Sequence, residues 1–218
     1  MEPTHPLAWL LLLAVATSGD PVPVVGGPCE GCEAVFQGLP TTLAAEARIA
    51  PPGEPGEPLR IEGTVRDADG RAVPGVIVYA YHTDARGLYP RPAAPVGPAA
   101  DRHGRLRAFA RSASDGAYAF DTIRPAAYPG GAVPQHVHLH VVEPGRCTYW
   151  IDDLVFDDDP LLGPTQRAEI LRGRGGRGLA TPRREGDGWI ARRDIVLGAG
   201  IDDYGRCGST GRSGRPGA

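Results

Sequence analysis

The chain of 218 residues contains no lysine, and its 23 basic residues are all arginines scattered along the sequence. With a net charge of −3 and no basic stripe, the composition excludes the electrostatic signature of a nucleic-acid partner, and arginine used in place of lysine reads as a GC-rich coding bias. Aromatic residues make up only 6 % of the chain and no long amphipathic helical pattern occurs; what remains, with 31 glycines and 23 prolines, favours short strands joined by turns.

A basic n-region is also lacking. The apolar run Leu7 to Ala16 has signal-peptide length, is too short to span a bilayer comfortably, and ends in small residues that admit cleavage after Ser18. Residues 1–18 are therefore expected to be an export signal. The mature chain, periplasmic or extracellular, is expected to have no membrane span. Because the preceding MEPTHP carries no Lys or Arg, an uncleaved N-terminal anchor stays open as the alternative. About 200 residues follow, enough for one domain with its own core.

Cysteines are few: Cys29 and Cys32 form a CxxC, and Cys147 and Cys207 lie far downstream. In an exported chain they read as disulfides, with three pairings open. A zinc site built on the CxxC would need a second closely spaced pair, and a redox pair a βαβ surround. Neither occurs, so a structural staple is expected.

The proline- and glycine-rich stretch Pro51 to Pro58 separates an N-terminal arm, residues 19–58, from the domain proper, residues 59–200, with a flexible tail over 201–218. Leu59 to Arg66 alternates, DADG turns, and Gly75 to His82 is β-branched and aromatic, which predicts a hairpin. Arg105 to Arg111 and Ala117 to Thr122 predict a second, followed by strands over Thr148 to Phe156 and Gly188 to Leu197. Only Thr165 to Leu171 looks helical. The expected fold is all-β, a β-sandwich with long loops and little helix.

The chemistry concentrates in Tyr128 to Val142, where His136, His138 and His140 alternate with Val137, Leu139 and Val141. In a strand the imidazoles share one face and the aliphatic groups the other. At a rise of about 3.3 Å per residue, His136 and His138 lie roughly 6.6 Å apart along the strand and can meet on one ion, whereas His136 and His140 lie about 13 Å apart and hardly can. The stretch is therefore a two-histidine site. Two tyrosines accompany it, each followed by proline. Tyr89 opens the long loop Gly87 to Gly104, which shows no pattern of its own, and Tyr128 stands just ahead of the histidines.

In the ordered segments GTVRDADGRAVPGVIVYAYHTDARGLYP, SDGAYAFDTIRPAAYPG, PQHVHLH and LVFDDDPL, roughly Leu59 to Leu162, the chain resembles the intradiol ring-cleavage dioxygenases, above all the iron-binding subunit of protocatechuate 3,4-dioxygenase and small exported bacterial relatives. The resemblance implies a non-haem Fe(III) centre held by Tyr89, Tyr128, His136 and His138. It also implies a catechol-type substrate and O2, and ring opening to a muconate-type diacid. Tyr128 would be the ligand that leaves when substrate chelates and so takes part in catalysis. The donor types suit the ion, since hard trivalent iron favours anionic oxygen and would deprotonate a tyrosine of ordinary pKa about 10.

Two positions depart from the family pattern. Val133 stands where many members carry an arginine, with Arg107 or Arg111 as substitutes for its charge, and Asp153 falls near a pocket glutamine. Two other readings compete. Gly130, His136, His138 and Glu143 match the first motif of a cupin, which would hold a divalent metal, although no later histidine completes it. A noncatalytic transthyretin-like binding module would explain the first hairpin but not the two tyrosines with HxH. The oligomeric state is left open.

Overall fold

The computed structural model describes residues 23–29, 31–131, 133–170 and 173–208; the expected export signal and residues 209–218 lie outside them. In chain order the strands are β1 (Glu46–Arg48), β2 (Pro58–Arg66), β3 (Ile77–Tyr81), β4 (Arg107–Arg111), β5 (Ala117–Ile123), β6 (His136–Glu143), β7 (Cys147–Phe156), β8 (Leu179–Ala180), β9 (Arg183–Glu185), β10 (Gly188–Arg192) and β11 (Ile195–Val196). Among the described residues, helix is limited to α1 (Pro98–Arg102), α2 (Pro164–Ile170) and two 3-10 turns, the first over Cys32–Phe36. One sheet runs β1-β5-β2-β10-β9, with β11 continuing along β2, and the other runs β4-β3-β6-β7-β8. The molecule is thus the expected all-β sandwich.

Alternation builds its core. Leu59, Ile61 and Val65 of β2 point inward with Phe120 of β5, against Val78 and Ala80 of β3, Val137, Leu139 and Val141 of β6, and Tyr149 and Ile151 of β7. Each such side chain, fully buried, contributes about 1.5–3 kcal/mol. β3 is buried on both faces. Its other face packs Ile77, Tyr79 and Tyr81 with Phe109 and Val142 under Val35. A strand covered on both sides has no polar positions, which is why GVIVYAY reads as a continuous apolar run.

The two expected hairpins are not hairpins. The DADG turn forms, with Asp67 N–H donating to the Arg71 carbonyl (2.9 Å), but β2 then pairs with β5 and β10 while β3 crosses to the other sheet between β4 and β6. β4 and β5 divide between the sheets in the same way. Both segments bury a face in the common core, so pairing them edge to edge would leave one of those faces in water. The long loop from Gly87 to Gly104 is not structureless either, since it carries α1, whose Ala99 and Ala100 bury against Ala34.

The stretch read as an arm is built into the domain: Val24 bridges Thr148, and β1 pairs in parallel with β5. The disulfides are Cys29–Cys32 and Cys147–Cys207, the second tying residues near the C-terminus to β7. The last predicted strand is split by Arg193, which has no solvent exposure. Its guanidinium donates to the carbonyls of Gly175 (3.0 Å), Asp194 (2.6 Å) and Asp152 (3.1 Å).

Candidate metal centre

The two tyrosines are placed by one interlocked pair of loops. After β3 the chain turns on Asp84, whose carboxylate accepts the N–H groups of Arg86 (2.9 Å) and Leu88 (3.1 Å) and so delivers Tyr89. Thr83 Oγ1 donates to the Ala126 carbonyl (2.7 Å) and Ala126 N–H to the Asp84 carbonyl (3.1 Å). The loop bearing Tyr128 is thereby held against the one bearing Tyr89.

Four donor atoms meet where these loops reach β6. Tyr89 Oη lies 2.7 Å from Tyr128 Oη and 2.8 Å from His138 Nε2. Tyr128 Oη lies 3.1 Å from His136 Nε2, and the two Nε2 atoms are 3.1 Å apart. Both imidazoles are fixed from behind, His136 Nδ1 against the Pro134 carbonyl (2.7 Å) and His138 Nδ1 against Asp153 Oδ1 (3.0 Å). Each Nδ1 therefore carries the proton, and each Nε2 presents a lone pair toward the other. Neutral imidazoles facing one another with two phenol oxygens between them form a donor set for a cation, and a carboxylate behind a ligating histidine is its usual support.

Asp153 reaches His138 because the β6–β7 pairing shifts register between Val137 and Leu139, placing an extra residue of β7 opposite His138. The hydrogen bond from Arg193 to the Asp152 carbonyl holds this bulge.

Burial disfavours charge on every ligand whose protonation is shifted. It lowers His136, with further repulsion from His138, and raises both phenols, Tyr89 well beyond the ordinary range. Burial also opposes ionisation of Asp153, yet it is held below the usual carboxylate value, chiefly by His138, whose ring hydrogen-bonds it. Without an ion the surroundings thus favour two protonated phenols, an uncharged His136 and an ionised Asp153. A hard cation would reverse the state of the phenols, supplying the charge that burial denies them.

A cavity of about 460 Å³, within the range of small-molecule sites, opens on Tyr89, Tyr128, His138 and Asp153. Its wall contains residues that the pattern reading did not single out. The Tyr81 ring stacks on His138 (4.5 Å between centroids) and on His103 (3.7 Å). The cross-strand pairs Tyr81 with His138 and Tyr79 with His140 would have revealed this, had the neighbour of β6 been known. At the far end His140 turns away from the four donors, its Nδ1 3.6 Å from Cys32 Sγ. Burial lowers His103 to about 4 and His140 to about 3.

Neither arginine offered for the charge missing at Val133 reaches the cavity. Arg107 donates to the Gln37 carbonyl (3.1 Å) on the other side of Tyr79, and Arg111 is exposed; the arginine on the wall is Arg102. Glu143, the fourth residue of the cupin match, lies at the opposite end of β6 and accepts the hydroxyls of Tyr149 and Tyr204 (both 2.8 Å), so it cannot complete a metal site with His136 and His138. Asp159 is buried and accepts the Gln135 N–H (2.7 Å), fixing the entry to β6.

A dioxygenase family model matches residues 40–172, which include all four donors. The chain belongs to the intradiol ring-cleavage dioxygenases. Among curated relatives, the hydroxyquinol 1,2-dioxygenase of Nocardioides simplex is 34 % identical over 169 residues, covering 66 % of this chain and 56 % of the relative. The chlorocatechol 1,2-dioxygenase of Rhodococcus opacus is 30 % identical over 145 residues, covering 59 % and 52 %. The chain thus spans about half the length of these relatives. Among solved structures, the dioxygenase domain of a dioxygenase carbohydrate-binding protein fusion from Streptomyces sp. SirexAA-E superposes with a TM-score of 0.51 at 23 % identity, covering 82 % of this chain and 98 % of that one. Hydroxyquinol 1,2-dioxygenase from Pseudomonas putida DLL-E4 gives a TM-score of 0.51 at 22 % identity, covering 80 % and 65 %. These likenesses place the sandwich among intradiol dioxygenase folds.

Proposed function

We propose that the protein is an iron(III)-dependent intradiol dioxygenase that opens a catechol-type aromatic diol with O2 to a muconate-type diacid. The observation that carries this reading is the convergence of Tyr89, Tyr128, His136 and His138 on one point at the floor of a cavity. When bound there, ferric iron would supply Lewis acidity and a template for diol and oxygen. Two phenolates and a hydroxide would balance its charge, leaving the centre ready for a dianionic diol.

The chain's own residues divide the remaining work. His136 and His138 hold fixed positions through the Pro134 carbonyl and Asp153, and Tyr89 is locked by the Asp84 turn. Tyr128, the less buried of the two phenols, would be the donor that gives way to the diol, and its Oη would take a proton from a diol hydroxyl. Tyr81 and Trp150 flank the space for the ring and keep it dry. Both atoms of O2 enter the product, which needs no external reductant.

The same reading places the protein outside the cytoplasm, supported by two cystines in the described residues and by the apolar N-terminal run. The test is direct. Protein loaded with ferric iron should be red-brown through phenolate-to-iron charge transfer and should take up one O2 per diol with catechol, a chlorocatechol or hydroxyquinol. A colourless ferric-treated sample would refute the centre, and a coloured sample inert to all three diols would refute the activity.

A further inference from the structure

The cavity carries a second donor cluster at its far end. Cys29 Sγ, Cys32 Sγ and His140 Nδ1 lie within 4.8 Å of one another, and Cys32 Sγ is 3.6 Å from Nδ1. A tetrahedral ion with bonds of about 2.3 Å to sulfur and 2.0–2.1 Å to imidazole nitrogen sets its ligand atoms roughly 3.5 Å apart. The sulfur–nitrogen distance already matches that edge, and the Cys29 and Cys32 Cα atoms, 5.6 Å apart, lie close enough for both side chains to face one point.

The Cys29–Cys32 bond is poorly placed as a staple. It closes a loop of three residues, whereas Cys147–Cys207 closes one of 60, and the stabilisation a cross-link confers grows with its loop. The segment is anchored without it: Cys32, Ala34 and Val35 are buried, and Val25 N–H donates to the Thr148 carbonyl (2.9 Å). His140, only 3 % exposed, aims a ring nitrogen at a cystine sulfur, a weak partner for a buried imidazole. A thiolate-bound cation explains that aim better. The donor missing from the CxxC when the sequence is read alone is therefore an imidazole supplied 108 residues downstream by β6.

We propose that, once the Cys29–Cys32 bond is reduced, Cys29, Cys32 and His140 bind one thiophilic cation of the Zn2+ class, giving the chain a redox-switched second metal site. A dithiol reductant supplies two electrons and two protons: the S–S bond breaks, two thiols form, and the reductant closes to its own disulfide. The cation then displaces both thiol protons to solvent, because the thiolate is the ligand. Reoxidation by a small-molecule disulfide, which accepts the two electrons and takes two protons from solvent to become two thiols, restores the Cys29–Cys32 bond and releases the ion. The fourth position faces the cavity, since Cys29 and His140 both line it. Two sulfurs and one nitrogen select a softer ion than the oxygen-rich centre, so the sites do not compete for one metal.

Co2+ is the probe, because thiolate-to-cobalt charge transfer reports sulfur ligation and cannot arise at the tyrosine–histidine centre. Full-length protein is reduced with dithiothreitol, desalted without oxygen, assayed for free thiols and titrated with Co2+. The expected result is one equivalent bound with sulfur charge transfer, displaced by one equivalent of Zn2+, and no such band in the oxidised protein. Cys29→Ser should bind at least 100-fold more weakly, and His140→Gln at least tenfold more weakly with an altered ligand-field spectrum. If Cys29→Ser does not fold, reduced wild type alkylated at its thiols takes its place and should show no band. The proposal is overturned by absence of sulfur charge transfer in protein whose thiols are free, by survival of the band in Cys29→Ser or the alkylated sample, or by wild-type affinity and spectrum in His140→Gln.

Discussion

Gly87 lies flush against the Ala127 carbonyl, so that a Cβ on Gly87 would come 2.0 Å from that oxygen. The contact joins the two loops that carry Tyr89 and Tyr128, and Gly87 also has φ +79°, a conformation other residues adopt at a cost. Gly87→Ala should therefore do two things: lose roughly 1–3 kcal/mol of stability through backbone strain, and spread the tyrosines enough to weaken ferric binding. Gly70→Ala, at φ +82° with no neighbour within 4 Å, should lose stability alone. Urea melts and visible spectra of the two variants distinguish the effects; equal colour in both would show that the Gly87 contact does not set the tyrosine spacing.

The tyrosines should differ when each loses its hydroxyl. Tyr128→Phe is expected to keep much of its iron, to shift its visible band as one phenolate is lost, and to consume catechol far more slowly. Tyr89→Phe removes the more buried donor and should lose iron itself. Metal analysis beside oxygen uptake decides, and near-normal turnover in Tyr128→Phe would exclude the departing-ligand role.

Asp153 acts through His138 as a positioning residue. Asp153→Ala should weaken ferric affinity by about 10–100-fold, because it frees the ring orientation and tautomer. Asp153→Asn retains an oxygen acceptor at the same place and should recover most of that affinity. Equal loss in both variants would mean that the carboxylate charge matters more than the hydrogen bond.

Metal-free protein should lose stability as the pH falls from about 6.5 toward 4, partly through His82. This imidazole has no solvent exposure, bonds the Thr83 carbonyl (2.7 Å) and the Thr122 hydroxyl (2.6 Å), and is held by burial down to about 4. Its folded value lies below the ordinary 6.5, so the unfolded chain takes up the proton first. Its contribution is complete above about 6.5 and shrinks on acidification, by about 3 kcal/mol over the whole window. Urea midpoints between about pH 7.5 and 4.5 should converge for wild type and His82→Gln as the pH falls; parallel curves would remove His82 from the account.

The fold class and the histidine pair were legible from local pattern: alternation marks a half-buried strand, and in HxH alternate residues share a face. That the two loop tyrosines join them was what the family resemblance implied. The sheet assignments were not legible. Whether β2 pairs with β3 or hands over to the opposite sheet depends on which faces are covered, and β3 is covered by residues on the N-terminal side of β1. Tyr81 escaped for the same reason, reaching His138 across a strand pair, and Asp153, read only as standing near a pocket glutamine, reaches His138 through a bulge. His82 shows the converse. A histidine in a chain with few of them is here a core residue with both nitrogens satisfied.

The position of β2 has a consequence for synthesis. β2 is the central strand of its sheet, and its neighbour β10 lies about 130 residues further along, pairing Leu59 with Trp189. One of its two hydrogen-bonding edges stays empty until β10 has emerged, and such distant pairings are slow to form. Until then the nascent chain carries an unpaired central strand, the kind of edge that pairs with other chains when it stays open.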